Sequence, residues 1–464
     1  MIEFLEVIDR AMNGRHCVEK SFDMEVFVPK VREVVAKYDI KFDPENPVCS
    51  DDALADRVFE AGFELFRDTG CYCPDSERIL QFSEDELREA LADAPRETSL
   101  GEGDDAGVLR ARKPESDAPP WCFIGAGGAV VSNEELYSDL VEAYARNLPL
   151  ANSLTCPTLA ALGGRSVTTG SPTEIIAAIE VTKRARAALA KGGRPGLPIM
   201  NSIATAGSDT AKIAGSQFGL RPSDAWLIGA TSELKFELQR FNEIAFVQAF
   251  GGHVNAETAP ILGGYCGGPE GVAVTNVAYH LAAILVLRGH SQLTFPIHYL
   301  YGCTTPRDVT WSVSVSTQAI SRNSHFPFFI LSYTAAGPMT EMCFHEIAAA
   351  ITTSVVSGAS IEFGGVAKAV NVDRFTPMEP RFASEVAHAV AGMSRVEANR
   401  VVKSLLEMYE EQLADAPTGR TFAECWNRET KLPGPEYIEF YDGMKKKIAE
   451  LGVPLQPGPY SLTS

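Results

Sequence analysis

The chain has 464 residues, 45% hydrophobic and 22% charged, the composition of an ordinary globular protein long enough for one large core or two domains. Lys and Arg total 41 against 60 Asp and Glu, a net charge of −19, and no basic cluster with interleaved aromatics occurs, which excludes a nucleic-acid partner. No run of about 18 apolar residues is present, so no membrane span is expected. The start, Met1-Ile2-Glu3-Phe4-Leu5-Glu6, has neither a basic n-region nor an apolar h-region, so no signal peptide is read. Ten cysteines are scattered, and the closest two, Cys71 and Cys73, have neither zinc-knuckle nor redox spacing. Reduced thiols in a cytoplasmic protein are the expectation.

In chain order, residues 1–115 read as a helical extension. Between Ala53 and Asp68, Leu54, Val58, Phe59, Phe63, Leu65 and Phe66 recur at helical spacing. Ser83 with Glu86 three residues later predicts a capping box opening a second helix. Glu102 to Ser116 is polar and rich in Gly, Asp and Pro, a surface connection.

From Trp121 the rhythm changes. Short apolar runs fall at 121–124, 149–154, 197–200, 225–228, 253–257, 293–298, 328–333 and 360–363, and helical patterns lie between most of them, at 173–191, 233–250, 270–288, 308–322 and 340–357. Eight strands alternating with helices predict a (β/α)8 TIM barrel over 116–395. An open doubly wound sheet is the alternative, but Gly125-Ala126-Gly127-Gly128-Ala129-Val130 lacks the last small residue of a dinucleotide fingerprint and does not lead directly into a helix. Residues 396–464 predict C-terminal helices: Leu405, Leu406, Met408 and Tyr409 form a buried face, and a final helix from Glu436 to Leu451 carries Lys445–Lys447 in its last turns.

A barrel puts its active site at the C-terminal strand ends. Those ends are Met200, Glu257, His298 and Tyr333, with Glu233 just beyond the fourth strand. Met200 is either a site residue or a core methionine filling a gap. Glu257 suits a base or a counter-ion to a cation, or a structural ion pair. His298 is a site or a core histidine. His298, Glu257 and His253 have no metal-ligand spacing, so no metal is expected. Gly263 to Gly271 is a glycine loop before a helix, and Glu270 in its first turn disfavours an anion. Among Tyr299, Tyr301, Trp311, Phe326, Phe328, Phe329 and Tyr333, strand alternation allows one to three to form a cation cage.

The residues also resemble a known family. Ala61-Gly62-Phe63-Glu64, Gly193-Arg194-Pro195-Gly196, Glu233-Leu234-Lys235, Pro260 to Tyr265, Gly337 to Cys343, Met378-Glu379 with Arg381, Thr421-Phe422 with Glu424-Cys425, and Tyr441-Asp442-Gly443 match, in order and spacing, the monomethylamine:corrinoid-protein methyltransferases of methanogenic archaea. The resemblance implies a (β/α)8 barrel with an N-terminal extension and a homo-oligomer, a hexamer being one such state. It implies catalytic roles for Glu257 and Tyr333. The position that carries pyrrolysine in the archaeal enzymes falls on Met200, and a glutamine accompanying the tyrosine falls on Leu331.

A thioether has no electrophilic carbon to capture a primary amine. Members of the wider superfamily that lack pyrrolysine demethylate quaternary amines such as glycine betaine. The expectation is therefore a non-pyrrolysine methyltransferase that moves a methyl group from an N-methylated, quaternary amine to the Co(I) of cobalamin carried by a separate corrinoid protein, with no tightly bound cofactor of its own. Met200, Leu331, His298, Tyr301 and Glu233 are the expected substrate-binding residues. A sulfonium donor, or a binding homologue without catalysis, is the alternative.

Overall fold

The computed structural model describes residues 2–366, 371–456 and 460. Its centre is a parallel barrel of eight strands: β1 Cys122–Gly125, β2 Ser153–Thr155, β3 Met200–Asn201, β4 Ala225–Gly229, β5 His253–Thr258, β6 Ser291–Thr294, β7 Phe328–Thr334 and β8 Ser360–Val366. Each strand is followed by a helix: α1 Glu134–Asn147, α2 Pro172–Lys191, α3 Asp209–Gly219, α4 Leu238–Phe250, α5 Pro269–Leu285, α6 Arg307–Asn323, α7 Glu341–Val356 and α8 Met378–Ala389. The ring closes where the Leu154 N–H donates to the Pro198 carbonyl at 2.9 Å. Following the strand register once around from Met200 returns to the same strand eight residues lower, the stagger of a (β/α)8 barrel.

That stagger sorts the interior into layers. Phe123, Met200, Asn255 and Phe329 share one. Thr155, Leu227, Leu293 and Glu362 form the next toward the C-terminal mouth. Glu257 and Leu331 follow, and Tyr333 stands highest, beyond a bulge after Ser332. Trp121, Phe123, Met200, Ala225, Leu227, Leu293, Phe329 and Leu331 make one apolar cluster, separate from the core outside the barrel wall.

The strand and helix alternation agrees with the sequence expectation. Two elements differ. A helix, α1, fills the first crossover, where none was predicted. The sixth strand stops at Thr294, because Pro296 has no N–H to donate to the ladder. Ile297–His298 instead pairs with Ile261–Leu262 as a separate two-residue ladder above the barrel.

The N-terminal extension is helical only in part. Its helix Asp52–Thr69 is capped by Asp51, whose side chain accepts from the Ala53 and Leu54 N–H groups. It lies on α5 and α6, and Gly62 allows the approach, since a Cβ there would meet the Val277 Cβ at 2.4 Å. The capping box at Ser83 and Glu86 forms with both bonds present. The stretch read as a connection, 102–116, instead holds the turn and second strand of a hairpin, Glu97–Leu100 with Gly107–Arg110, that closes the N-terminal end of the barrel. Leu100 and Leu109 are buried against Trp121, the Thr98 hydroxyl donates to the His290 carbonyl at 2.8 Å, and the Gly101 N–H donates to Ser223 at 2.9 Å.

The Gly-Arg-Pro-Gly motif is the clasp of this hairpin. Arg194 pairs with Asp105, the Gly196 N–H donates to the same carboxylate at 3.1 Å, and a Cβ on Gly196 would strike the Glu102 carbonyl at 2.0 Å. At the C-terminal end, Arg395–Glu407 packs on α7, and the Pro435–Glu450 helix sets Phe440 and Tyr441 against Phe344. All ten cysteines are free thiols, Cys17 partly exposed and the rest buried. Among the described residues no helix is long and apolar enough to cross a membrane.

Candidate active site

An acid and a tyrosine occupy the mouth of the barrel. Glu257, near the end of β5, is half-buried, and Gly229 on the neighbouring strand leaves space for its carboxylate, which would lie 3.5 Å from a Cβ there. Burial raises the Glu257 pKa, while Lys212 and Arg240 nearby pull it down. Both cations are themselves tied to Glu243, at 3.8 and 2.5 Å. Tyr333 on β7 is half-buried, and its ring rests on backbone: a Cβ on Gly128 would lie 2.5 Å from its hydroxyl oxygen, and one on Gly365 3.2 Å from Cε1. Burial and the neighbouring carboxylates of Glu362 and Glu257 push its pKa up, so it stays a neutral hydroxyl. Phe295 stands edge-on to Tyr333, with ring centroids 5.9 Å apart.

The apolar side chains at this end of the barrel are buried. Met200 is 0% exposed and Leu331 2%. Met200 lies two layers below Glu257, so it supports the floor rather than facing the mouth. Glu362, in the layer between, is 2% exposed, and its Oε2 has no hydrogen-bond partner. Burial, then the charge of Glu257, raises its pKa well above the usual range.

The end of β7 is held from outside the barrel. Glu346 on α7 accepts from the Thr305 hydroxyl at 2.5 Å and from the Ala335 and Ala336 N–H groups at 2.7 and 2.9 Å. The Thr304 N–H donates to the Tyr333 carbonyl at 3.0 Å.

The remaining expected residues lie elsewhere. The His298 ring stacks on Tyr301 at 4.5 Å, accepts the Leu300 N–H on Nδ1 at 3.2 Å and turns Nε2 toward Asp308 at 4.0 Å. Both rings line an outer groove of about 490 Å³ shared with Phe42, Pro44, Arg307 and Glu410. Glu233 is buried beside Tyr279 and Cys266, accepts the Ile261 N–H at 3.1 Å and is pushed up to about 7 by burial; its contacts are not with Glu257 or Tyr333. Trp311 packs against Phe42, and Phe326 and Phe328 against His280, all outside the barrel wall. Of the seven aromatics considered, Tyr333 borders the mouth and Phe329 lies in the floor.

His253 sits at the opposite end of β5, with Nδ1 at 3.0 Å from the Pro222 carbonyl. Among the described residues no three His, Cys, Asp or Glu side chains converge into a metal-ligand set. The glycine loop before α5 is braced by Glu270, which accepts the Phe42 N–H at 3.0 Å.

Sequence reasoning missed Phe295 and Glu362. For Glu362 a signal existed: a lone carboxylate inside an apolar strand run, on the same alternation as the inward residues.

A closed (β/α)8 barrel with an acid and a tyrosine at its C-terminal mouth defines a barrel enzyme with its site in the place usual for the fold. Comparison with known proteins makes the assignment specific. The family model for monomethylamine methyltransferase MtmB matches residues 2–453. The monomethylamine methyltransferase MtmB of Methanosarcina mazei is 33% identical over 456 residues, covering 96% of this chain and 97% of its own, and MtmB2 of Methanosarcina acetivorans matches at the same identity and coverage. The crystal structure of the Methanosarcina barkeri monomethylamine methyltransferase superposes with a TM-score of 0.93 at 31% identity, covering 97% of this chain and 98% of that one, and the hydroxylamine complex of MtmB gives the same values. The chain belongs to the monomethylamine methyltransferase MtmB family, and so to a family of methyltransferase enzymes.

Proposed function

We propose that the protein transfers a methyl group from an N-methylated, quaternary ammonium compound to the Co(I) of a separate corrinoid protein, and that it does so in the cytoplasm, as a homo-oligomer, without pyrrolysine. The observation that carries this reading is the Glu257 carboxylate at the mouth beside Leu331 and above the buried side chains of Met200 and Phe329. A quaternary nitrogen donates no hydrogen bond, so apolar neighbours leave no donor unpaired, and its permanent charge needs a carboxylate close by. Aromatic faces such as Tyr333 and Phe295 add about 0.5–2 kcal/mol for a cation placed over them.

The chemistry follows from the leaving group. Co(I) takes the methyl carbon, the C–N bond breaks, and its electron pair stays on a neutral tertiary amine. No electrophile on the protein is required. The chain's task is to offset the charge and hold one methyl toward the mouth, where orientation alone contributes several kcal/mol. A primary amine offers a poorer leaving group, and neither Met200 nor Leu331 can capture or hold it.

The test is methylation of a Co(I) corrinoid protein, followed by its absorption change, across primary, secondary, tertiary and quaternary amines. A quaternary compound is expected to be the best donor and monomethylamine to be silent. Fast turnover of monomethylamine with Met200 confirmed by mass spectrometry would refute the reading. Activity on a sulfonium alone would move the donor class to sulfur.

A further inference from the structure

The other buried glutamates of this chain each have a hydrogen bond or an ion pair; Glu233 shares with Glu362 an Oε2 without a partner, but its Oε1 accepts the Ile261 N–H, and Glu243 pairs with Arg240. Glu346 has three donors, Glu379 accepts from the Thr376 hydroxyl at 2.7 Å, Glu64 is held by Lys30, Lys37 and Tyr38, and Glu174 accepts from Gly170, Gly207 and Ser208. Glu362 is different. It is 2% exposed inside the barrel, its Oε2 has no partner, and no Lys, Arg or His among the described residues acts on it. A structural acid without a donor is a net cost to the fold, because burial removes its hydration and nothing replaces it.

Its placement is also specific. Oε1 lies 2.8 Å from where a Cβ on Gly364 would be and 3.5 Å from the same point on Gly127. Two residues without side chains thus flank the carboxyl group on the mouth side. The titratable groups facing it are Glu257 from β5 and Tyr333 from β7. The rest of its layer is Thr155, Leu227 and Leu293.

We infer that Glu362 is a second substrate-facing group of this site, forming with Glu257 a two-carboxyl cradle for a small methylated ammonium ion that bears no acidic group, and that Glu362 releases its proton to solvent when that ion binds. The inference rests on the function proposed above and narrows its donor class. In the free protein, burial and the charge of Glu257 favour the protonated form of Glu362. A cation placed between the two carboxyls reverses that balance: the O–H bond of Glu362 breaks, the proton goes to buffer, and the carboxylate remains as a second counter-ion. A ligand with its own carboxylate brings like charge into the cradle and loses this gain.

The test is titration calorimetry with tetramethylammonium chloride in two buffers of different ionisation enthalpy. Wild type is expected to release up to about one proton per cation bound. Glu362→Gln, which keeps the side-chain shape, is expected to release none and to bind about tenfold more weakly. Wild-type affinity is expected to rise with pH up to the free-state pKa of Glu362, by about tenfold per unit, a check that needs no variant.

Buffer-independent heats and pH-independent affinity in wild type overturn the inference, as does unchanged binding and proton release in Glu362→Gln. Tighter binding of trimethylglycine than of tetramethylammonium overturns it too, since the acid then acts as a donor to a carboxylate. If wild type binds none of these cations, the proposed function itself fails, which is a separate result.

Discussion

Replacing Gly128 by alanine tests whether Tyr333 must stand where it does. A Cβ at this position would lie 2.5 Å from the Tyr333 hydroxyl oxygen, 2.6 Å from Cε1 and 2.9 Å from Cζ. Ordinary contact begins near 3.4 Å, so the ring must retreat by roughly 0.9 Å. A Cβ on Gly365 would lie 3.2 Å from the ring and 3.6 Å from the Gly128 Cα, so the two glycines bound the same side of the ring and it moves away from both. Misplacement of a positioned group by about 1 Å costs on the order of 100-fold in rate, near 3 kcal/mol. Overpacking costs the fold about 1–3 kcal/mol, so the variant should still fold. The assay is turnover with the best wild-type donor, kcat and KM separated, beside a melting curve. In a Tyr333→Leu background the alanine should add little further loss, because the side chain it strikes is gone. Wild-type turnover by Gly128→Ala, or fully additive losses in the double variant, would refute the role given to Tyr333.

Glu257→Gln should weaken a cationic ligand by about 1.5–3 kcal/mol, the worth of a charge-assisted contact, while Met200→Leu should cost less than about 1.5 kcal/mol because Met200 is wholly buried in the floor; equal losses by calorimetry would make Glu257 structural. Burial raises Glu346 to about 7 in the fold from 4.5. A raised acid stabilises the fold fully below its unfolded pKa and loses that contribution as pH rises through 7. The stability difference between wild type and Glu346→Gln should therefore fall by up to about 3 kcal/mol between pH 5 and 8 in denaturant titrations, and a pH-independent difference would contradict it. Gly443 is exposed inside the Pro435–Glu450 helix, and a Cβ there meets nothing within 4 Å. Gly443→Ala should stabilise the protein by about 0.5–1 kcal/mol, seen as a higher melting temperature, and a lower one would count against the packing described.

The barrel was legible because its helices and buried strands alternate with glycine and proline breakers, a rhythm that needs no tertiary information. The first crossover was missed because the mixed run from Glu134 to Asn147 carries buried Tyr and Asn that do not read as an apolar stripe. Glu257 and Tyr333 could be found at strand ends. His298 and Tyr301 lie away from the mouth, because the sixth apolar run reads straight through Pro296, although the ladder cannot. Glu233 was placed one step past a strand, but the chain turns there and buries it against α5. What lies deep in the barrel, above all Glu362, depends on stagger: the layer a residue joins is set by closure of all eight strands, and no single strand contains that information.

The hairpin clasped by Arg194 and Asp105 has a kinetic consequence. It stoppers one end of the barrel with Leu100, Leu109 and Trp121, which leaves the other end, among the described residues, as the doorway to Glu257. Under the proposed reaction the small donor has to be seated before a macromolecular acceptor covers the opening, and the demethylated product is held until that acceptor departs. The order of arrival and departure is then compulsory, imposed by a stopper on the opposite side of the molecule from the chemistry.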